Sequence, residues 1–418
     1  MDEMLQQEQP EKCLLLSLDT GEYDIESSLS ELAELARTAG AVVDGVATQK
    51  RDTPDSATCF GSGRLTEIAE ICAANAITLV IVDRELTATQ HRNMEDILPC
   101  RVIDRTMLIL DIFASRARSA EGRLQVELAQ LQYLLPRLAG QGAALSRLGG
   151  GIGTRGPGET KLESDRRHIR RRIQSLKNQL AEVEKRRGES RKRRKKDDMR
   201  TVAIVGYTNA GKSTLLNRLT DAGVLAEDML FATLDTTTRA LQLPDGRTVL
   251  LIDTVGLIQR LPHHLVQAFH ATLEEAAMAD LVVNLCDASG PYVEHQQIAT
   301  DLMQSLGRGD KPILRVMNKC DLLPDGVPAS NDERVYISAV TGEGIPALLQ
   351  AMAKALPPDR RRVKILFPFA AGALADMCRK DGAVEQETWV ENGLEMTVTV
   401  SLRMLHKLEE QHIHFEEI

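Results

Sequence analysis

The stretch Gly206-Tyr207-Thr208-Asn209-Ala210-Gly211-Lys212-Ser213 decides the fold expected for this 418-residue chain. An apolar run at residues 202–205 precedes it, and a helical pattern follows it from Thr214, which is also an expected nucleotide-binding residue. The spacing G-x-x-x-x-G-K-S between a strand and a helix predicts a P-loop, in which backbone N–H groups and the helix N-terminus hold phosphates. Lys212 would reach the outer phosphates, and the hydroxyl of Ser213 would hold Mg²⁺. A chance glycine-rich turn is the alternative, and the strand–loop–helix setting disfavours it.

A second motif, Asp253-Thr254-Val255-Gly256, follows the strand pattern 248–252 with the spacing D-x-x-G. Asp253 would hold Mg²⁺ through a water molecule, and the amide of Gly256 would sense the γ-phosphate. Between the two motifs, Phe231-Ala232-Thr233-Leu234-Asp235 predicts a switch loop. Its Thr233 hydroxyl is the expected Mg²⁺ ligand in the triphosphate state, and the competing candidates are Thr236, Thr237 and Thr238. Lys212, Thr233 and Gly256 are therefore the candidate catalytic residues.

A third motif, Asn318-Lys319-Cys320-Asp321, follows the strand pattern 313–317 and predicts which base of the nucleotide is recognised. The carboxylate of Asp321 can accept hydrogen bonds from guanine N1–H and from the exocyclic amine, whereas adenine offers an acceptor at N1 and no amine there. Sites built on such pairing discriminate by roughly 10⁴–10⁵-fold. The residues Ser338-Ala339-Val340 follow a further strand, and their backbone would contact the guanine oxygen. These motifs in this order predict that the chain binds GTP.

The rest of the chain predicts three further parts around this α/β nucleotide domain. Strands alternating with helices over residues 13–105 predict a small parallel α/β sheet. Within it, Gly61-Ser62-Gly63 could meet a phosphate, although a plain helix start is favoured. Near the C-terminus, an Asn392-Gly393 turn between strand patterns predicts a small α+β domain. The expected domains are residues 1–105, 106–197, 198–357 and 358–418.

A helical hairpin is expected in the second of these domains. Two series of apolar residues share the spacing 4, 3, 4, 3, and they are Leu124, Leu128, Leu131, Leu135 and Leu138, then Ile169, Ile173, Leu176, Leu180 and Val183. Two matched stripes of this kind predict antiparallel helices. Their connection, residues 140–158, carries eight glycines. It is either a spacer or, with Arg147, Arg155 and Lys161, a surface that contacts RNA.

The charge of the chain is strongly uneven. Residues 161–200 hold 17 Lys/Arg and 7 Asp/Glu, a local charge of +10, whereas the whole chain has a net charge of −9. A concentrated basic segment on an acidic body favours a polyanionic partner such as nucleic acid over a merely solvated helix face. The acidic first residues do not suit a signal peptide, and no apolar run approaches the length of a membrane span. Seven scattered cysteines without a C-x-x-C pair suggest a reduced, cytoplasmic protein.

The nucleotide motifs, residues 231–235 and one further run together resemble the HflX family of ribosome-associated GTPases. That run is Gly153-Thr154-Arg155-Gly156-Pro157-Gly158-Glu159-Thr160-Lys161-Leu162-Glu163. The nucleotide motifs are shared widely, whereas this run is specific to the family. The resemblance covers nearly the whole chain. It implies a Mg²⁺-dependent GTPase that docks on the large ribosomal subunit and splits stalled or idle ribosomes, often under stress.

Two positions depart from the pattern of that family. Thr236 stands where the family has proline, and this replacement would loosen the switch loop. Leu257 stands where the family usually has phenylalanine. Many GTPases instead place glutamine directly after D-x-x-G to orient the attacking water. Leu257 cannot orient water, so we expect slow turnover by the protein alone and activation by a partner.

The main hypothesis is a cytoplasmic, monomeric GTPase whose hairpin contacts ribosomal RNA. Two alternatives remain open from the residues. One is an NTP-driven RNA helicase whose N-terminal domain holds a second nucleotide such as ATP. The other is a GTP-gated RNA-binding module with little hydrolysis. Duplex unwinding would favour the first alternative, and a lack of ribosome-stimulated hydrolysis would favour the second.

Overall fold

The computed structural model describes most of the chain around three sheets. The described residues are 10–138, 157–196, 199–220, 238–254, 256–260, 277–290, 297, 300, 311–324, 326–331, 333–356 and 360–418. Within residues 157–196, side chains are described from 163 to 189. The P-loop lies between the middle sheet and the helix that follows it.

The N-terminal sheet is parallel and has the strand order β2-β1-β3-β4. Its strands are β1 (Lys12–Asp19), β2 (Val42–Lys50), β3 (Leu79–Val82) and β4 (Arg101–Asp104). The helices between them are α1 (Ile25–Thr38), α2 (Ser62–Ala74) and α3 (Ala88–Ile97). The central strands are apolar on both faces because helices cover both faces of the sheet. The predicted parallel α/β sheet is confirmed, and Gly61 stands at a helix start, where its amide donates to Gln49 (2.9 Å).

Two further helices, α4 (Arg105–Arg116) and α5 (Ala120–Arg137), extend the core of this sheet. Phe113 of α4 packs in the same hydrophobic cluster as β1 and β3, together with Val126 and Tyr133 of α5. The N-terminal core therefore continues beyond residue 105, where the sequence places a domain boundary. The leucine stripe of α5 does not reveal this second apolar face, because Val126 and Tyr133 lie between the leucines.

The helix α6 (Pro157–Lys196) packs antiparallel to α5. Arg172 pairs with Glu127 (2.6 Å) and Arg187 pairs with Glu121 (2.7 Å), so the residue numbers of the two helices run in opposite directions. The predicted stripe of α6 is its least exposed face, and it consists of Ile169, Ile173, Leu176, Leu180 and Val183. The predicted helical hairpin is confirmed. Most of its glycine-rich connection, residues 139–156, lies outside the described residues.

The middle sheet has the strand order β10-β9-β8-β5-β7-β6, and all its strands except the edge strand β6 are parallel. Its strands are β5 (Arg200–Gly206), β6 (Thr238–Gln242), β7 (Thr248–Asp253), β8 (Leu281–Asp287), β9 (Ile313–Asn318) and β10 (Arg334–Tyr336). Two helices beside it are α7 (Lys212–Thr220) and α8 (Ile345–Ala355). The carboxyl ends of β5, β7 and β9 meet at one edge, where α/β sheets bind ligands. The three predicted motifs all start at this edge.

The C-terminal sheet is antiparallel, with the order β12-β13-β11-β14. Its strands are β11 (Arg360–Phe367), β12 (Ala383–Val390), β13 (Gly393–Ser401) and β14 (Phe415–Glu417), and its helices are α9 (Gly372–Asp381) and α10 (Leu402–Glu410). The predicted Asn392-Gly393 turn is present. Gly393 has φ +145°, and a Cβ at this position would overlap the carbonyl of Phe367, so only glycine fits. The predicted α+β fold is confirmed.

Within the described residues, no helix combines the length and apolar character that crossing a membrane requires. The seven cysteines are free thiols, and all except the half-buried Cys100 are buried. Burial raises the pKa of the Cys59 thiol to about 11, which keeps it protonated at neutral pH.

The contact between α5 and α6 gives a stability prediction. Leu176 is the one fully buried side chain of the stripe on α6, with 0 % exposure. Replacing it with alanine should lower the free energy of unfolding by about 2–5 kcal/mol, because the hairpin loses apolar burial and gains a cavity. Denaturant unfolding monitored by circular dichroism measures this loss. The exposed neighbour Lys177→Ala is the control, and an equal loss in both variants would show that α6 does not pack through this stripe.

Candidate nucleotide-binding site

The P-loop connects β5 to α7 in a conformation that is ready to receive phosphates. The ammonium of Lys212 donates hydrogen bonds to the carbonyl oxygens of Gly206 (3.1 Å) and Tyr207 (2.8 Å). Asn209 and Gly211 have positive φ angles, +61° and +91°, which allow the loop to curl around the N-terminus of α7. The predicted strand, loop and helix therefore lie in the order that a phosphate site requires.

Three glycines keep the site open for a ligand. A Cβ at Gly206 would overlap the carbonyl of Leu285, and a Cβ at Gly211 would overlap the side chain of Asn318. At Gly256 it would lie 2.7 Å from Thr208 Cγ2 and 3.1 Å from Lys212 Nζ. Each glycine thus permits a close approach that any other residue would prevent.

The charged groups around the P-loop fit a magnesium–phosphate ligand. Lys212 is buried, and this burial lowers the pKa of its ammonium to about 8, although the nearby carboxylate of Asp253 raises it in part. Asp253 is fully buried at the end of β7, and Ser213 is buried at the start of α7. A carboxylate and a hydroxyl are the oxygen ligands that Mg²⁺ prefers. The hydroxyl of Thr208 is buried and has no hydrogen-bond partner among the described residues, which also suits a polar ligand here.

Asn318 joins the phosphate side of the site to the base side. Its amide nitrogen donates to the carbonyl of Ala210 (2.8 Å), and its amide oxygen accepts from the N–H of Ala339 (2.9 Å). The side-chain amide therefore binds the P-loop and the 338–340 loop together. The hydroxyl of Ser338 accepts from the N–H of Thr341 (3.1 Å), which shapes the same loop.

The base side presents Asp321 to solvent next to a fixed backbone. Asp321 is exposed in the one-turn 3₁₀ helix Cys320–Leu322, so its carboxylate is available to a ligand. Lys319 has a left-handed backbone, φ +61°, and its ammonium lies 2.9 Å from the carboxylate of Asp287. Val340 is also exposed, at 66 %. Asp321 and Val340, which are predicted to contact the guanine, are therefore both accessible from solvent.

Two predicted contact residues use their side chains to support the fold instead. The hydroxyl of Thr254 is buried and donates to the carbonyl of Ile204 on β5 (2.8 Å). The thiol of Cys320 is buried with Cys286 and Met317 and donates to the Met317 carbonyl (3.3 Å). Because these side chains are buried and hydrogen-bonded within the fold, Thr254 and Cys320 can offer only backbone atoms to a nucleotide. The spacing of a motif does not specify which way each of its side chains points, so the sequence could not show this.

Some predicted residues cannot be placed against this geometry. Those that lie outside the described residues are Phe231, Ala232, Thr233, Leu234, Asp235, Thr236, Thr237 and Val255. Of the competing switch threonines, Thr238 is described, and it begins the edge strand β6 opposite Ile252. The choice of Thr233 as a Mg²⁺ ligand stays a prediction.

Two supporting contacts were not predicted from the sequence. Arg218, in the last turn of α7, donates to the carbonyls of Ala339 (3.1 Å) and Val340 and so holds the loop of residues 338–340, which is predicted to contact the guanine and is called here the guanine-side loop. The hydroxyl of Tyr207 accepts from the N–H of Gln259 (2.8 Å) and so holds the segment after Gly256. Both partners are backbone groups far away in sequence, and no motif spacing signals such contacts.

Comparison with known proteins identifies the family of this chain. A model described as "50S ribosome-binding GTPase" matches residues 201–319, and models described as "GTP-binding GTPase N-terminal" and "GTP-binding GTPase Middle Region" match residues 26–114 and 116–194. The GTPase HflX of Caldanaerobacter subterraneus is 49% identical over 95% of this chain and 93% of its own length. This chain belongs to the GTPase HflX family.

Other members of the HflX family are nearly as similar. The GTPase HflX of Escherichia coli K12 is 44% identical over 92% of this chain and 91% of its own length. Among solved structures, the SsGBP and GDP complex aligns with 82% of this chain and 98% of that chain, at 24% identity and a TM-score of 0.48. The relatives and the family models confirm the sequence-based resemblance to the HflX family, and the P-loop domain is that of a GTPase.

The buried lysine gives a prediction about pH. Without nucleotide, Lys212 loses its proton above about pH 8, whereas phosphates would keep it charged, so binding above that pH must take up a proton. Affinity for GDP should therefore fall about tenfold from about pH 7 to about pH 9. Fluorescent GDP titrations measure this slope. Lys212→Arg, which stays protonated throughout, is the control, and equal slopes in both proteins would contradict the assignment.

The exposed carboxylate of Asp321 gives a prediction about base choice. Asp321→Asn should shift preference from GTP toward xanthosine triphosphate, because the amide donates a hydrogen bond where the carboxylate accepted one. Competition binding with both nucleotides measures the shift. If GTP affinity stays unchanged and the xanthine nucleotide gains nothing, Asp321 does not bind the base.

Proposed function

We propose that this chain is a Mg²⁺-dependent GTPase that binds the large ribosomal subunit and splits stalled or idle ribosomes under stress. In this proposal the N-terminal domain and the glycine-rich connection of the hairpin contact ribosomal RNA. The nucleotide state controls binding and release. The protein would act in the cytoplasm as a monomer.

The observation that carries the proposal is a basic rod joined to the N-terminal core. Along the described part of α6, seven Lys and Arg side chains are exposed, and they are Arg167, Arg170, Arg171, Arg172, Lys177, Lys185 and Arg186. The apolar stripe of α6 packs on α5, and the opposite face of α5 packs in the N-terminal core. A rigid, positively charged projection of this kind suits the phosphates of structured RNA. The family model described as a 50S ribosome-binding GTPase supports the choice of partner.

The chemistry assigned to the site follows from positioning and charge. Lys212 would bind the outer phosphates, and Ser213, Asp253 and Thr233 would hold Mg²⁺, directly or through water. The metal would neutralise charge that develops on the phosphates during hydrolysis. Leu257 is buried with Tyr207 and not directed into the site, so no water-orienting side chain follows Gly256. We therefore propose slow turnover by the protein alone and stimulation by the ribosome.

The helicase alternative requires a second nucleotide in the N-terminal domain. In a sheet of order β2-β1-β3-β4, a ligand is expected at the carboxyl ends of β1 and β3. Asp83, directly after β3, is buried there and already binds Arg105 and Arg260. The carboxylate of Asp83 would repel a phosphate at this position, and the two arginines that could bind a phosphate already pair with Asp83. We therefore place the helicase hypothesis second.

The RNA-contact hypothesis is tested by exchanging the glycine-rich connection. Residues 140–156 are replaced by a glycine–serine chain of equal length, which keeps a spacer but removes Arg147 and Arg155. GTP turnover is measured with and without large subunits. Intrinsic turnover should be unchanged, because the connection contributes no nucleotide motif, whereas ribosome-stimulated turnover and subunit splitting should be lost.

A second variant separates the contact made by the connection from the general electrostatic attraction between basic side chains and RNA phosphates. Neutral replacements of the basic residues 191–196 should weaken ribosome binding and reduce its salt dependence, because fewer counterions are released. Full stimulation of the glycine–serine variant would make the connection a spacer. Absence of ribosome stimulation in the parent protein would favour the GTP-gated binding module.

A further inference from the structure

The segment after D-x-x-G, residues 257–260, lies between two hydrophobic cores. The side chain of Leu257 packs with Tyr207 in a cluster of the nucleotide domain. The next side chain, Ile258, is 3 % exposed and packs in the N-terminal cluster with Phe113 and Tyr133. Consecutive residues of one short segment thus contribute to the cores of two domains.

The backbone of this segment is also bound on both sides. The N–H of Leu257 donates to the Gly206 carbonyl (3.1 Å), and the Leu257 carbonyl accepts from the N–H of Thr208 (2.7 Å), so the segment pairs with the P-loop. The carbonyl of Gln259 accepts from Arg105 of the N-terminal domain (3.1 Å). Its N–H contacts both Tyr207 Oη (2.8 Å) and a carboxylate oxygen of Glu31 (3.3 Å).

Arg260 then enters the crevice at the carboxyl ends of β1 and β3. Its guanidinium donates to both carboxylate oxygens of Asp83 (3.0 Å each), to the Asp83 carbonyl (3.3 Å) and to the hydroxyl of Ser28. The same group lies over the ring of Tyr23, 3.8 Å from its centroid. A sheet with this strand order is expected to bind a ligand in this crevice, and here the side chain of Arg260 occupies that position.

Two carboxylates and two guanidinium groups meet in this crevice. Asp83 and Glu31 are buried carboxylates, and Arg105 is a buried guanidinium that pairs with both. Arg260 supplies the second positive charge. Removing one partner from such a buried group leaves an uncompensated charge, which is costly. Arg260 also has a left-handed backbone, φ +49°, a conformation that non-glycine residues adopt only when their surroundings hold them there.

The other end of the segment lies against the phosphate-binding lysine. Gly256 is so close that a Cβ would be 3.1 Å from Lys212 Nζ and 2.7 Å from Thr208 Cγ2. The backbone of Gly256 therefore lies directly beside the ammonium expected to bind the outer phosphates, so a third phosphate bound there would contact this backbone. Only three residues separate Gly256 from Arg260, so a displacement of one residue is passed to the other along a short piece of chain.

We propose that Arg260 is a positioning residue that holds residues 256–260 against the P-loop by occupying the crevice of the N-terminal domain. The contacts of Arg260 in the crevice then lower the affinity of the P-loop for the third phosphate. By reciprocity, a bound triphosphate loosens the N-terminal domain from this segment to the same extent. This inference rests on the GTPase site and does not depend on ribosome binding.

The test compares affinities for GDP and for a non-hydrolysable GTP analogue in the full-length protein. Arg260→Ala should bind the analogue about tenfold more tightly, while GDP affinity stays within about twofold of the parent. Arg260→Gly relieves the left-handed backbone and also removes the guanidinium, so it should give the same ratio if the side chain is responsible. An unchanged ratio in both variants would overturn the proposal.

A variant within the N-terminal domain excludes a mere loss of folding. Tyr23→Leu removes the ring under the guanidinium, and Tyr23 lies outside the nucleotide domain. It should shift the same affinity ratio in the same direction by a smaller factor. Arg64→Ala, which removes the pair with Glu67 (2.7 Å) elsewhere in this domain, is the matched control and should leave the ratio unchanged. Equal weakening of GDP and analogue in the Arg260 variants and in Tyr23→Leu would mean a purely structural role and would contradict the proposal.

Discussion

Residues 256–260 cannot move without disturbing either the P-loop or the N-terminal domain, and the rest of the structure depends on this constraint. Leu257 pairs with the P-loop backbone, and Ile258 completes the N-terminal core. Arg260 pairs with the buried carboxylate of Asp83, which lies 177 residues away in sequence. The segment that reports on the third phosphate in GTPases is therefore also a structural part of the domain proposed to contact the ribosome.

The P-loop and the loop of residues 338–340 are held in place by contacts within the described part of the nucleotide domain. Asn318 links the P-loop to the guanine-side loop, and Arg218 fixes that loop from α7. Lys212 is held by two carbonyls of the loop itself. With these parts fixed in advance, binding energy is not needed to assemble the phosphate and base sites. The binding energy of the nucleotide can instead shift the conformation of the segment after Gly256, as a nucleotide-controlled switch requires.

The sequence predicted the elements of the fold well because their signals are local. The P-loop spacing, the matched stripes on α5 and α6 and the Asn392-Gly393 turn each depend on residues close together in the chain. The side-chain directions of Thr254 and Cys320 could not be predicted, because a motif specifies spacing and not orientation. The extension of the N-terminal core into α4 and α5 was hidden for a similar reason, since α5 carries two apolar faces and the leucines mark only one.

The contacts of Arg260 and Tyr207 could not be predicted, because their partners come from distant parts of the chain. Hydrogen–deuterium exchange of the parent protein tests the central claim most directly, with GDP compared against a non-hydrolysable GTP analogue. Residues 20–31 and 80–86, which form the crevice around Arg260, should exchange faster with the analogue, because the third phosphate displaces Gly256 and loosens Arg260. Equal exchange of these peptides in the two nucleotide states would show that the N-terminal domain does not sense the nucleotide through this segment.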